Sequence, residues 1–361
     1  MLQNRFNKQP RKDERKPANT EKTPPPMMKF VQASGFGGSG AEPMSLNPTG
    51  ENLQQQTPSP TTGNEHSPSK KKDKEAQVPH ELQGQVINEI YQIEAALEKG
   101  GMGQVFRARH LVRNIPVALK LMLKDSDPDD PSFNRFVQEC KVQINLHHTN
   151  VVSVLDWGIM LGSLKPYLVM EYVEGDTLRR VMQKAGTIPP YEAADLLAQV
   201  CAGLHSCHRQ GVIHRDMKPE NVMLVIESDS LVAKILDFGI AALQWEKSER
   251  SGVAIGSLGY MSPEQIRGYS VDERSDLYAL GCIFYEMIVG RQPFKANGVR
   301  NLMAMHVQVP HTPPSQLASF EHSEVIDVIV GKALAKKPED RYQSAAEMQA
   351  DLTYFAQLDG T

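Results

Sequence analysis

The sequence predicts an α+β chain: a small strand-rich part, then a larger helical part, behind a disordered tail. Three observations predict it. From Tyr91 to Met170 the apolar residues fall in short runs broken by glycine, proline and acidic residues, the pattern of strands and hairpins. Beyond Gly175 the apolar spacing lengthens to nearly 3.6 residues, the period of helices. Before Val86 neither period is present, and Pro, Gly, Gln and Ser dominate.

Composition narrows the classes. The 361 residues are 40% hydrophobic and 23% charged, with a formal net charge of −4. Residues 1–85 carry +3 and the remainder −7, so the folded part lacks the basic face that nucleic-acid binding needs. Cys140, Cys201, Cys207 and Cys282 are widely spaced with no Cys-x-x-Cys pair, which predicts buried reduced thiols rather than disulfides or zinc. No apolar run reaches the roughly 18 residues of a membrane span, and Met1–Arg15 is polar, unlike a secretory leader. A cytoplasmic protein is the expectation.

Residues 1–85 contain a triple proline at 24–26, a glycine run at 35–40 that follows no strand and opens no helix, and a basic run at 70–74 interrupted by Asp73. They read as linker and solvated tether. Tyr91–Leu97 and Gln104–His110 then flank Glu98-Lys99-Gly100-Gly101-Met102-Gly103, a hairpin closed by a glycine-rich turn able to approach a phosphate. Val117–Leu121 is a strand with Lys120 amid apolar neighbours. Asp125–Pro131 is an acidic loop, and Phe133, Phe136, Val137, Cys140 and Ile144 mark a helix that carries Glu139. Val151–Leu155 and Pro166–Met170 are further strands. Ala194, Leu197, Ala198, Cys201 and Leu204 stripe a helix over 193–208, on which His205 and His208 read as packing and capping groups.

The richest stretch is His214-Arg215-Asp216-Met217-Lys218-Pro219-Glu220-Asn221, an ordered loop because Pro219 cannot continue a helix. Sixteen residues past Asn221 comes Asp237-Phe238-Gly239, after the run Ala233-Lys234-Ile235-Leu236. In this order the two motifs resemble the catalytic loop and DFG motif of eukaryotic-type (Hanks-type) serine/threonine protein kinases, in their bacterial form. Further segments carry the same resemblance. Glu171-Tyr172-Val173-Glu174-Gly175 resembles the hinge between the lobes, and Gly256 to Glu264 the end of the activation segment, with Ser262-Pro263-Glu264 where A-P-E is usual. Asp276 matches the aspartate that steadies the catalytic loop, and Arg341 the arginine that pairs with Glu264.

The resemblance implies a bilobal kinase fold over residues 86–357, with an N-lobe over about 86–171 and a C-lobe over about 175–357. It implies Asp216 as acceptor of the substrate proton, and Lys218 against the γ-phosphate. Lys120 would bind the α- and β-phosphates, held by Glu139. It implies magnesium on Asn221 and Asp237, and ATP among Leu97, Gly100, Gly101, Met102, Gly103, Val105, Ala118, Lys120, Met170, Glu171 and Val173. Lys218 follows the serine/threonine pattern. The glycine loop departs from G-x-G-x-x-G at its first position, where Glu98 stands.

Arg215 beside Asp216 needs an anion, and phosphorylation of Ser248 or Ser251, with Ser257 a third candidate, would supply it in the polar segment Trp245–Gly252. The expected partners are protein substrates with Ser or Thr, ATP, and a second copy for autophosphorylation in trans as a homodimer. A pseudokinase scaffold that binds nucleotide or partners without turnover is the alternative, supported by Glu98 alone. A P-loop NTPase is excluded, since no G-x-x-x-x-G-K-[ST] occurs.

Overall fold

The computed structural model describes residues 82–99, 103–122, 131–237 and 257–358. Outside the described residues lie the predicted tail up to residue 81, glycine-loop residues 100–102, the acidic loop up to 130, Phe238, Gly239, and the segment carrying Ser248 and Ser251.

The N-lobe is one antiparallel sheet. Its strands are β1 (Val86–Ile87), β2 (Tyr91–Lys99), β3 (Gly103–His110), β4 (Ile115–Met122), β5 (Val154–Ile159) and β6 (Pro166–Glu171), in the order β1-β2-β3-β4-β6-β5. The pleat sorts β4 by alternation. Val117, Leu119 and Leu121 face an apolar layer with Ile93, Phe106, Ala108 and Val169. Ala118 and Met122 face the other side, where α1 (Pro131–Gln143) packs Phe136 and Cys140 against Val154, Leu168 and Met170. Lys120 shares that second face by register, which is why a lysine in an apolar strand reaches the cleft between the lobes. Gly103 opens β3 for a steric reason. A Cβ there would sit 2.5 Å from the carbonyl oxygen of Leu121 on β4.

Two expectations are adjusted. Leu82–Gln85, read as tail, is already tied to the sheet: Gly84 N–H donates to Ile93 O at 2.9 Å and Ile93 N–H to Gln85 O at 2.9 Å. The strand expected over Val151–Leu155 lies at Val154–Ile159. Val151 instead bridges Ile235 in parallel, and Val152 N–H donates to Ile235 O.

The C-lobe is mostly helical. It contains a small sheet of β7 (Asp176–Thr177), β8 (Val222–Glu227) and β9 (Ser230–Ile235). Its helices are α2 (Leu178–Ala185), α3 (Pro190–His208), α4 (Pro263–Arg267), α5 (Glu273–Val289), α6 (Val299–Gln308), α7 (Ser323–Ala333) and α8 (Ala345–Ala356). Every residue of α5 from Ser275 to Ile288 is buried, so α5 is a core axis rather than an amphipathic surface helix. Gly281 lets α7 approach it closely, since a Cβ there would lie 2.6 Å from Ala333 Cβ. The four cysteines are buried free thiols. Among the described residues no helix is long and apolar enough to cross a membrane.

Candidate active site

The loop after α3 is shaped by one buried carboxylate. Asp276, in the first turn of α5, accepts from His214 N–H at 2.9 Å, from Arg215 N–H at 2.8 Å and from His208 Nε2 at 2.8 Å. Burial alone would push its acid upward; the bond from His208 and the neighbouring histidines outweigh burial and hold it below the usual carboxylate range. Arg215 adopts a left-handed backbone, φ 67°, costly for a residue with a Cβ. Its N–H is fixed by Asp276 and its carbonyl by Gln265 Nε2 at 2.8 Å. Gln265 itself belongs to a capping box with Ser262 at the start of α4. The activation-segment end and the catalytic loop therefore meet at Arg215, whose guanidinium is exposed.

His214 is fully buried and bonds Leu236 O through Nε2 at 2.8 Å. A carbonyl only accepts, so the proton sits on Nε2, and Nδ1 accepts Asp216 N–H at 3.3 Å. Past Asp216 the chain closes in a 3₁₀ turn, Pro219–Asn221, with Pro219 at its first position. That turn gathers the polar groups. Lys218 Nζ lies 2.6 Å from Asp216 Oδ2, and Asn221 Nδ2 donates to Asp216 O at 2.7 Å. With Nδ2 so engaged, Oδ1 is the Asn221 atom suited to a cation. Leu236 N–H donates to Asn221 O at 2.9 Å, which sets Asp237 beside the turn. Asp237 also has a left-handed backbone, φ 55°.

Across the cleft, Lys120 Nζ is 2.9 Å from Asp237 Oδ2, the lysine side chain 7% exposed and the aspartate 30%. The expected partner was Glu139, which lies half-buried on α1. The buried ammonium takes the Asp237 carboxylate as its compensating charge. Ala118, Met170, Val173 and Leu236 belong to one apolar cluster. Val105 pairs with Lys120 in the β3–β4 register and is half-buried, while Leu97 is 48% exposed at the end of β2. Glu98 pairs with Val105, and its side chain is exposed to solvent. A small pocket beside Met170 is lined by Leu146, Val154, Leu168 and Asp237. A second small pocket beside Asp216 is lined by Arg215, Tyr260, Met261 and Gln265.

The donor set suits a hard cation: one carboxylate and one amide oxygen, leaving positions for phosphate oxygens and water. Among the described residues no group of three or more His, Cys, Asp and Glu could hold a metal. His208, weighed in the sequence as a packing group, is bound to Asp276.

Sequence reading missed a polar network on the Tyr260 side of the candidate site. Arg179 on α2 donates to Glu220 Oε1 at 2.8 Å, to Glu286 Oε1 at 2.8 Å and to Tyr260 OH, and Tyr260 OH donates to Glu286. It joins the catalytic turn, α5 and the activation-segment end. The partners lie 41 to 107 residues from Arg179, so no local spacing announces them. Arg341 is also placed: its guanidinium grips Glu264 in two parallel bonds, 2.7 and 2.8 Å, with its side chain 0% exposed. Burial would raise the Glu264 acid, but the bonds from Arg341 and Ser275 hold it at about 2.

A family model described as the protein kinase domain matches residues 91–353. The chain is 40% identical over 274 residues to serine/threonine-protein kinase PknB of Mycobacterium leprae, covering 74% of this chain and 43% of that relative. It is 41% identical over 273 residues to PknB of Mycobacterium tuberculosis, again covering 74% and 43%. The chain thus spans about two fifths of the length of the curated relatives it matches. Among solved structures, the Mycobacterium tuberculosis PknI kinase domain is similar with a TM-score of 0.59 and 26% identity, covering 75% of this chain and 98% of that one.

Proposed function

The chain belongs to the protein kinase domain family, and from that premise we propose that it transfers the γ-phosphoryl group of ATP to serine or threonine hydroxyls of proteins, itself included. The observation that carries the reading is the Asp216–Lys218–Asn221 cluster, tied through Leu236 to Asp237 and from there to Lys120.

Phosphoryl transfer asks for alignment, charge neutralisation and a proton acceptor rather than covalent help. Asp216, steered by Lys218 and by the backbone bond from Asn221, receives the proton of the attacking hydroxyl. Lys218 Nζ, already beside that carboxylate, is in reach of the γ-phosphate. Lys120 meets the α- and β-phosphates. Asn221 Oδ1 and the Asp237 carboxylate hold magnesium, which neutralises phosphate oxygens when bound. Glu139 on α1 would steady Lys120 at those phosphates. Ala118, Met170 and Val173, with Leu97 and Val105 above, sandwich the adenine, and the backbone of Glu171 and Val173 bonds its edge. Gly100, Gly101, Met102 and Gly103 cover the phosphates.

Arg215 is the receiver for a phosphate on Ser248 or Ser251, with Ser257 the third candidate; the exposure of its guanidinium supports this. The family's peptide platform, the Ser262–Glu264 turn held by Arg341, supports protein substrates. Buried free thiols suit a reducing compartment, the cytoplasm. Autophosphorylation in trans would use a transient homodimer.

The test is label transfer from γ-labelled ATP with magnesium, followed by identification of the phosphorylated amino acid. Parent protein should label serine or threonine, and Asp216→Asn should not. Equal labelling by Asp216→Asn, or none by parent with generic substrates and phosphorylated Ser248 or Ser251, overturns the reading.

A further inference from the structure

We propose that Lys234 is a positioning residue for nucleotide, acting through Glu171 on the segment that receives the adenine; this rests on the kinase reading above. Lys234 sits on β9 within the run Ala233–Leu236 and is 7% exposed. A strand lysine ordinarily extends its ammonium to water. Here Nζ lies between two carboxylates, 3.5 Å from Glu171 Oε1 and 3.2 Å from Glu227 Oε1.

The two acids differ. Glu227 belongs to the β8–β9 hairpin and is 45% exposed against 33% for Glu171, so water competes for it more. Glu171 closes β6 and begins the connection between the lobes. Its Oε1 also accepts Ser153 N–H at 3.1 Å, while its own N–H donates to Ser153 O at 3.0 Å. One oxygen thus collects an N-lobe amide and a C-lobe ammonium. Three residues beyond Lys234 on the same strand run stands Asp237. The ion pair therefore joins the strand leading to the metal-ligand candidate with the strand leading to the adenine edge. Swinging the connection outward would strand a nearly buried cation beside one solvated acid, a costly state. The closed geometry is favoured before nucleotide arrives, which lowers the ordering cost of binding.

A merely structural lysine would change melting temperature alone, so the readouts are nucleotide affinity and hydrogen exchange at residues 171–174 in the nucleotide-free full chain. Lys234→Met should raise the KM for ATP about tenfold with kcat within about twofold, the signature of lost binding rather than lost chemistry. Exchange at 171–174 should quicken. Lys234→Arg should restore most of the affinity, and Lys234→Gln should mimic Lys234→Met, serving in its place where that variant does not fold. Glu227→Gln should shift affinity less than either. If the parent transfers no phosphoryl group, the kinase reading fails separately, and equilibrium binding of a fluorescent ATP analogue replaces KM. Unchanged nucleotide affinity, or unchanged exchange, in the folded variant overturns the proposal even where melting falls.

Discussion

The molecule holds two kinds of carboxylate–cation pair, and they are built for opposite purposes. Glu264 and Arg341 meet in a two-bond fork, with the arginine also donating to the carbonyls of Ala335, Lys336 and Arg274 and stacking 4.9 Å from the centre of the Tyr278 ring. Every donor is committed and the arginine side chain is fully buried. In the cleft, Lys218–Asp216 and Lys120–Asp237 are single-bond pairs between side chains that keep some solvent access on at least one partner. The first is a rivet, costly to open. The others are contacts that, under the proposed function, a phosphate or a cation replaces. A flexible ammonium suits exchange, and a planar guanidinium suits permanence.

The largest way to break this contrast is at the rivet. Arg341→Met leaves Glu264 buried and uncompensated, and should cost about 3–5 kcal/mol of unfolding free energy, read from denaturant melts. Lys218→Met, at an exchangeable pair, should cost under about 1 kcal/mol in the same experiment while transfer collapses. The β3 opening gives an intermediate effect. Gly103→Ala forces its Cβ against Leu121 O and should destabilise by about 1–3 kcal/mol. That result would show that this glycine serves sheet closure as well as phosphate approach.

The rivet also has an acid signature. Glu264 is held at about 2, below its ordinary value of 4.5. Its contribution is therefore complete above pH 4.5 and fades as pH falls from there toward 2. Glu264→Gln should flatten that part of the stability curve, measured by melting temperature against pH, while lowering stability at neutral pH. At the small end stands Glu98. Its carboxylate is exposed beside the glycine loop, so Glu98→Gly should lower the KM for ATP only a few-fold, about 2–4 times, with the gain shrinking as salt rises. A large salt-independent gain would point to loop geometry rather than charge.

Much of the site was legible because it is local. Asp216, Lys218 and Asn221 lie within six residues, and their turn follows from Pro219; alternation along β4 puts Lys120 on the cleft face. What a sequence does not order is choice among distant partners. Lys120 pairs with Asp237 from the other lobe, and no local spacing ranks that acid above Glu139. Arg179 gathers groups from three elements, and nothing near it in the chain marks them. The misplaced fifth strand has the same origin. Val151 and Val152 are apolar enough for a sheet, but they are engaged by Ile235 from the C-lobe. The early boundary at Leu82 escaped because backbone bonds from Gly84 and Gln85 hold that segment, not a hydrophobic period.

The most direct test puts one variant of each kind side by side, with melting temperature and phosphoryl transfer measured on the same samples. The account predicts that Asp216→Asn melts with the parent and loses transfer by about 10²–10⁴-fold, the usual worth of a proton acceptor. It predicts that Glu264→Gln melts earlier yet retains measurable transfer well below its midpoint. Transfer by Asp216→Asn at the parent rate, or a Glu264→Gln protein as stable as the parent across the acid range, would contradict it.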